Sequence, residues 1–92
     1  MSKVYRVLIT DNARKELASV DPTPRAIILK WLNKNLEGCE NPRAFGKPLA
    51  DSHSGEWVYR IGSYRVLAVI YDDSVVVEVF KVGHRGKVYR WR

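Results

Sequence analysis

Residues 64–71 read Tyr-Arg-Val-Leu-Ala-Val-Ile-Tyr, and this stretch decides the fold. Apart from Arg65, its interior is apolar at every position, which is typical of a strand in mid-sheet that is covered on both faces. Gly62-Ser63 precedes it and Asp72-Asp73-Ser74 follows it, and short polar turns of this kind connect antiparallel strands. Two further β-rich runs are predicted to flank it, Trp57–Ile61 and Val75–Val82.

The N-terminal half predicts one strand and two helices. Lys3–Thr10 alternates and is rich in β-branched and aromatic side chains, which favours a strand. Asp11–Val20 changes to helical spacing, and Thr10 or Asp11 can cap its start. The proline-rich break at 21–24 begins a second helix. Its apolar stripe comprises Ile27, Ile28, Trp31, Leu32 and Leu36.

The remaining segment, Cys39–Gly55, follows a helix stop at Gly38 and has no clear period, so a long functional or mobile loop is expected. The order is then β-α-α-β-β-β. We expect a single α+β domain over residues 1–92, with a helical hairpin packed on a mostly antiparallel four-stranded sheet.

Composition excludes several classes of protein. No apolar run is long enough to span a bilayer, and the N-terminus lacks the apolar core of a signal peptide. Cys39 is the single cysteine, so no internal disulfide forms, and no Cys/His cluster has metal-ligand spacing. A reduced, cytoplasmic protein without a metal or cofactor is the simplest expectation.

Charge points to a polyanionic partner. Of the net charge of +6, residues 57–92 carry seven Lys or Arg against three Asp or Glu. The last twelve residues hold five cations, no acid, and the rings of His84, Tyr89 and Trp91. Cations interleaved with rings suit single-stranded RNA, although an acidic protein would fit the same field. The five cations are Lys81, Arg85, Lys87, Arg90 and Arg92.

Arg65 interrupts the apolar pattern, and two interpretations fit it equally. It reaches water or a carboxylate from the strand end, or it forms a fixed fork for one phosphate. If the last strand ends at Val82, antiparallel pairing brings the following His84-Arg85 bend close to Arg65. Two arginines and a titratable histidine would then form a phosphate site with a proton-transfer group.

These segments resemble the RelE family of bacterial and archaeal toxins. The resemblance covers nearly the whole chain, and the order and spacing of short motifs carry it. They are Thr10–Leu17, Phe45-Gly46-Lys47-Pro48-Leu49, Tyr64–Val69, Val79–Arg85 and Val88-Tyr89-Arg90. It implies an endoribonuclease that cuts messenger RNA in the ribosomal A site and is silenced by a cognate antitoxin.

The resemblance also implies roles for individual residues. Arg65, Arg85 and Tyr89 match the family's catalytic positions, and Lys47 matches a position that can supply a base. Some relatives carry two lysines on the second strand, where this chain has only Arg60 as a basic residue. The expected reaction is attack of the 2′-hydroxyl on the adjacent phosphate, without a metal. His84, Arg85 or Tyr89 would serve the leaving oxygen, and the RNA contacts would come from Arg60, Lys81, Lys87 and Arg90.

Two other functions compete with this interpretation. The ParE branch shares the fold but poisons DNA gyrase, and its members tend to lack the arginine, histidine and tyrosine set. A plain RNA-binding module would hold RNA with a strong salt dependence but leave it intact. The sequence leaves the oligomeric state open.

Overall fold

The structure is a computed structural model that describes residues 3–49 and 55–85. Its strands are β1 Arg6–Ile9, β2 Lys47–Pro48, β3 Glu56–Ile61, β4 Tyr64–Tyr71 and β5 Val76–His84. Its α-helices are α1 Asp11–Ala18 and α2 Pro22–Trp31, and α2 continues into a wider π-helical turn, Leu32–Leu36. A short 3-10 turn, Pro42–Phe45, leads into β2.

The strands form one sheet in the order β1-β5-β4-β3-β2. β1 runs parallel to β5, and the other neighbours are antiparallel. The predicted α+β class, helix pair and mostly antiparallel sheet are confirmed. The predicted count of four strands is wrong, because Lys47–Pro48 pairs with Val58 and Trp57 inside the expected loop. Two residues are too few to show a period of two in the sequence.

The hairpin between β3 and β4 forms as predicted, with Ile61 opposite Tyr64 and Gly62 at φ +59°. β1 is shorter than the predicted strand. β5 is longer, because its pairing with β4 continues past Val82 until His84 lies opposite Tyr64.

Both helices begin and end for local chemical reasons. The Thr10 hydroxyl accepts the Ala13 N–H at 3.1 Å, so Thr10 is the cap of α1. Proline in the first turn of α2 costs no hydrogen bond, since that N–H has no partner inside a helix. Gly38 adopts φ +80° after the π turn, and its N–H donates to Tyr5 O at 2.7 Å. Within the described residues, no helix has the length and apolarity needed to span a membrane.

The two helices cover one face of the sheet and bury the main core. Ala13, Leu17, Ile28, Leu32 and Leu36 pack there against inward residues of β3, β4 and β5. The opposite face carries a second, smaller cluster of Leu49, Val58 and Leu67, with Phe80 at its side. Val66, Leu67 and Ala68 are therefore all buried, which confirms that both faces of the central strand are covered.

Helix α1 lies along the part of β5 that extends beyond β1. The Asn12 amide donates to Phe80 O at 3.3 Å, and the Glu16 carboxylate accepts the Val82 N–H at 2.8 Å. These side chains satisfy backbone groups that β1 is too short to reach. An open strand edge is a site of unwanted pairing, so the helix closes it.

A polar cluster joins three distant parts of the chain. Asp72, in the turn after β4, accepts the Tyr5 hydroxyl at 2.7 Å and two Arg43 nitrogens at 3.1 and 2.9 Å. The Arg43 guanidinium also lies 5.8 Å from the Trp57 ring centroid. The hydrogen bonds from Arg43 and Tyr5 lower the pKa of Asp72 to about 2. This cluster fixes the 3-10 turn to the sheet.

We predict that Asp72→Asn lowers stability at neutral pH but not in strong acid. The folded pKa lies below the ordinary value of about 3.9, so the contribution is complete above pH ~4 and is lost as the pH falls through about 2. Because the carboxylate is about half exposed, we expect no more than about 1 kcal/mol at pH 7.

Urea unfolding of the parent and the variant between pH 7 and pH 2 measures the difference. Asp73→Asn is the matched control, because Asp73 is an exposed neighbour in the same turn. A difference for Asp72→Asn that stays constant with pH would contradict the assignment.

Candidate active site

The site is built on the hairpin of β3 and β4. The register places Arg60 directly opposite Arg65, and Arg65 in turn lies opposite Gly83 of β5. Residues directly opposite each other share one face of the sheet, so both guanidinium groups project from the face that the helices leave uncovered. Like charges in this arrangement repel each other, and an anion between them removes the penalty.

Arg65 is only 8% exposed. One of its terminal nitrogens donates to Tyr64 O at 3.3 Å, and no carboxylate of the described residues lies within ion-pair distance of it. Neither the exposed nor the carboxylate-paired alternative therefore applies within this part of the chain. A buried guanidinium without an anion is costly, and the remaining donors are available to a ligand oxygen.

A cleft of about 500 Å³ lies over Arg65. Its described lining includes three cations and no acidic side chain. A cleft lined by charges of one sign, here cations, attracts anionic groups such as phosphates. The lining comprises Ala44, Phe45, Gly46, Lys47, Val58, Arg60 and Arg65.

Lys47 reaches this cleft because of the glycine before it. A β-carbon built at Gly46 would overlap the Val58 carbonyl oxygen and lie 2.8 Å from Tyr59 Cδ1 and 2.9 Å from Trp57 Cδ1. Only glycine permits so close an approach of the chain to β3. The next residue then pairs with Val58, and its exposed side chain lines the same cleft as Arg65.

The end of β5 lies beside the start of β4 as predicted, but the His84 side chain does not lie on the predicted face of the sheet. The Arg85 N–H donates to Ser63 O at 2.9 Å, so the end of β5 lies beside the start of β4. His84 lies opposite Tyr64, and the two rings meet edge to face at 5.5 Å. Because neighbouring strand residues point to opposite faces, His84 is on the other face from Arg65. The expected convergence of His84 with Arg65 is therefore wrong.

The other predicted residues divide into two groups. Lys81 is half-buried, and its ammonium lies 4.0 Å from the Glu16 carboxylate, where α1 packs on β5. Arg85 is exposed and lies beside the turn that joins β3 and β4. The predictions for Lys87, Tyr89 and Arg90 lie outside the described residues.

Two observations describe the thiol and the candidate metal ligands in this part of the chain. Burial raises the pKa of the Cys39 thiol, which reduces the nucleophilic thiolate. Among residues 3–49 and 55–85, no group of three His, Cys, Asp or Glu is placed to hold a metal ion.

The chain is similar to known toxins in sequence and in structure. Residues 7–89 match the family model described as the ParE toxin of the type II toxin-antitoxin system, parDE. The chain is 33% identical to toxin RelG of Mycobacterium tuberculosis over 86 residues, which is 94% of this chain and 97% of that protein.

Two solved structures have the same fold. The toxin–antitoxin complex RelBE2 of M. tuberculosis gives a TM-score of 0.77 at 30% identity, covering 91% of this chain and 94% of that one. The isolated RelE toxin of E. coli gives 0.72 at 27% identity, covering 96% and 94%. The chain belongs to the RelE/ParE superfamily of type II toxin–antitoxin toxins.

Sequence reasoning missed the residues that hold the site in place. Gly46 stands out only as a loop glycine, and Arg43 gives no signal that its partner is Asp72, 29 residues away. Tyr59 was expected merely as a strand residue, yet it is fully buried and its hydroxyl donates to Pro42 O at 2.9 Å.

We predict that Gly46→Ala destabilises the protein and displaces Lys47. The added methyl group meets the backbone of β3 rather than a flexible side chain, so we expect a loss of about 1–3 kcal/mol in the free energy of unfolding. Chemical denaturation measures it.

Gly62→Asn is the control for that substitution. An added β-carbon at Gly62 meets nothing within 4 Å, and asparagine tolerates its positive φ. Equal stability losses for the two variants would show that close packing at Gly46 is unimportant.

Proposed function

We propose that this toxin is an endoribonuclease that cuts messenger RNA in the ribosomal A site and so inhibits translation. The observation that carries the proposal is Arg65, a buried guanidinium without a carboxylate partner among the described residues, facing a cleft with Arg60 and Lys47. Such a site suits a phosphodiester, because it neutralises the charge that the reaction adds to phosphorus.

The proposed chemistry is attack of the substrate's own 2′-hydroxyl on the adjacent phosphate. A bond forms between the 2′-oxygen and phosphorus, and the bond from phosphorus to the 5′-oxygen breaks. The products are a 2′,3′-cyclic phosphate and a free 5′-hydroxyl. The 2′-hydroxyl loses one proton and the leaving oxygen gains one, so no metal or cofactor is needed to balance the reaction.

The proposed role of each residue follows from its position in the site. Arg65 and Arg85 would hold the nonbridging oxygens, and Lys47 is the candidate to accept the 2′-hydroxyl proton. Arg60 lies across from Arg65 and would bind the backbone next to the scissile group. Tyr89 would stack on a base or protonate the leaving oxygen. His84, which points to the other face, is less well placed for that step than Arg85.

The proposed partners follow from the reaction and from the relatives. Few acid–base groups line the described cleft, so we infer that the ribosome supplies much of the alignment of the message. RelE-type relatives are known in complexes with RelB antitoxins. We propose that a cognate antitoxin binds this chain in the cytoplasm and silences it.

We predict that Arg65→Ala or Arg85→Ala lowers message cleavage by about 100-fold or more, which is the usual loss when one charge-stabilising donor is removed. Arg65→Lys should also be impaired, because an ammonium lacks the planar fork. Induced expression in bacteria, followed by mapping of the 5′ ends of translated messages, measures the effect.

Arg6→Ala is the matched control, since Arg6 is an exposed cation on the far edge strand, paired with Glu37. Circular dichroism and melting curves establish that each variant is folded. Full activity in both the Arg65 and Arg85 alanine variants would place the site elsewhere.

DNA gyrase inhibition is the second candidate, because the matching family model is that of ParE toxins. Under that function, expression causes a DNA damage response and stalled gyrase while messages stay intact. A plain RNA-binding module would cause neither, and would bind RNA with an affinity that falls steeply with salt.

A further inference from the structure

Tyr59 touches both ends of the turn that delivers Lys47 to the cleft. Its hydroxyl donates to Pro42 O, at the start of the 3-10 turn. Its ring lies where a side chain on Gly46, at the end of the turn, would collide with it. One buried side chain therefore contacts the five-residue segment 42–46 at its start and at its end.

Close packing on the helix face restricts the movement of the Tyr59 side chain. Tyr59 is 0% exposed, its ring lies 5.7 Å from the Trp31 ring, and Trp31 also meets Phe45 of the same turn at 6.2 Å. Burial raises the pKa of the Tyr59 hydroxyl far above its ordinary value, so it remains a hydrogen-bond donor at every physiological pH. Tyr59 points to the helix face, while its neighbours Val58 and Arg60 line the cleft on the opposite face.

We propose that Tyr59 is a positioning residue that fixes Lys47 in the cleft from the far side of the sheet. The inference rests on the proposed nuclease function for its catalytic consequence, but its structural part does not. Without the hydroxyl, Pro42 O loses its buried donor, the turn loosens, and the two-residue strand β2 no longer holds Lys47 at a fixed distance from Arg65.

A double-mutant cycle tests the catalytic consequence. Tyr59→Phe keeps the ring against Gly46 and Trp31 and removes only the donor. We expect message cleavage to fall roughly tenfold in the parent background, because small misplacements of a reacting group are costly. In the Lys47→Ala background the same change should have no further effect, since the group that it positions is gone.

A purely structural role predicts a different result, in which Tyr59→Phe lowers cleavage by the same factor with or without Lys47. That result would overturn the proposal. Ile70→Val is the control for a modest loss of stability, because it removes one buried methylene from β4 and costs about a few degrees of melting temperature. It should leave cleavage unchanged below the melting range.

The contact of Tyr59 with both ends of the segment 42–46 is called the clamp here, and hydrogen exchange tests it independently of any activity. The Leu49 N–H donates to Glu56 O at 3.1 Å and reports on the β2 end, and the Thr10 N–H, which donates to Val79 O, is the internal reference. In Tyr59→Phe we expect Leu49 exchange to rise on the order of tenfold relative to Thr10. Unchanged Leu49 exchange would reject the clamp even in a protein that cuts messages. A parent chain that cuts no message would instead reject the nuclease function and its catalytic consequence, leaving the clamp to be judged by exchange alone.

Discussion

The pairing of β3, β4 and β5 around Arg65 is the constraint on which the rest of the structure depends. Arg65 lies between Arg60 on β3 and Gly83 on β5. The buried cation therefore has a second cation on one side, and on the other side a glycine that contributes no side chain. The helices on the opposite face supply the apolar burial that makes this arrangement tolerable. The larger apolar core therefore lies on one face of the sheet, and the two adjacent cations lie on the other beside the smaller cluster.

Local signals in the sequence were sufficient for most of the fold. The alternation and turns around residues 57–82 predicted β3, β4 and β5, and the change to helical spacing after Thr10 predicted α1. β2 could not be predicted, because a strand of two residues has no period and depends on the close approach of Gly46 to β3. Contacts such as Arg43 with Asp72 depend on tertiary packing, for which a single sequence gives no signal.

The candidate site was predicted in part. The backbone neighbourhood of Arg65 and the end of β5 follows from antiparallel pairing alone. The side on which His84 falls depends on whether β5 ends at Val82 or continues, and the two further paired residues, Gly83 and His84, settle the face. Lys81 illustrates a different limit, since its contact with Glu16 requires knowing that α1 packs along the exposed edge of β5.

The parallel pairing of β1 with β5 has a consequence for synthesis of the chain. Arg6 is made before its strand partner Val76, and a long stretch of chain separates the two residues. β1 therefore stays unpaired until β5 has been synthesised, and closing so long a loop slows folding. A chain with this topology cannot complete its sheet from its N-terminal half alone, so the edge strand β1 is added only once β5 is in place.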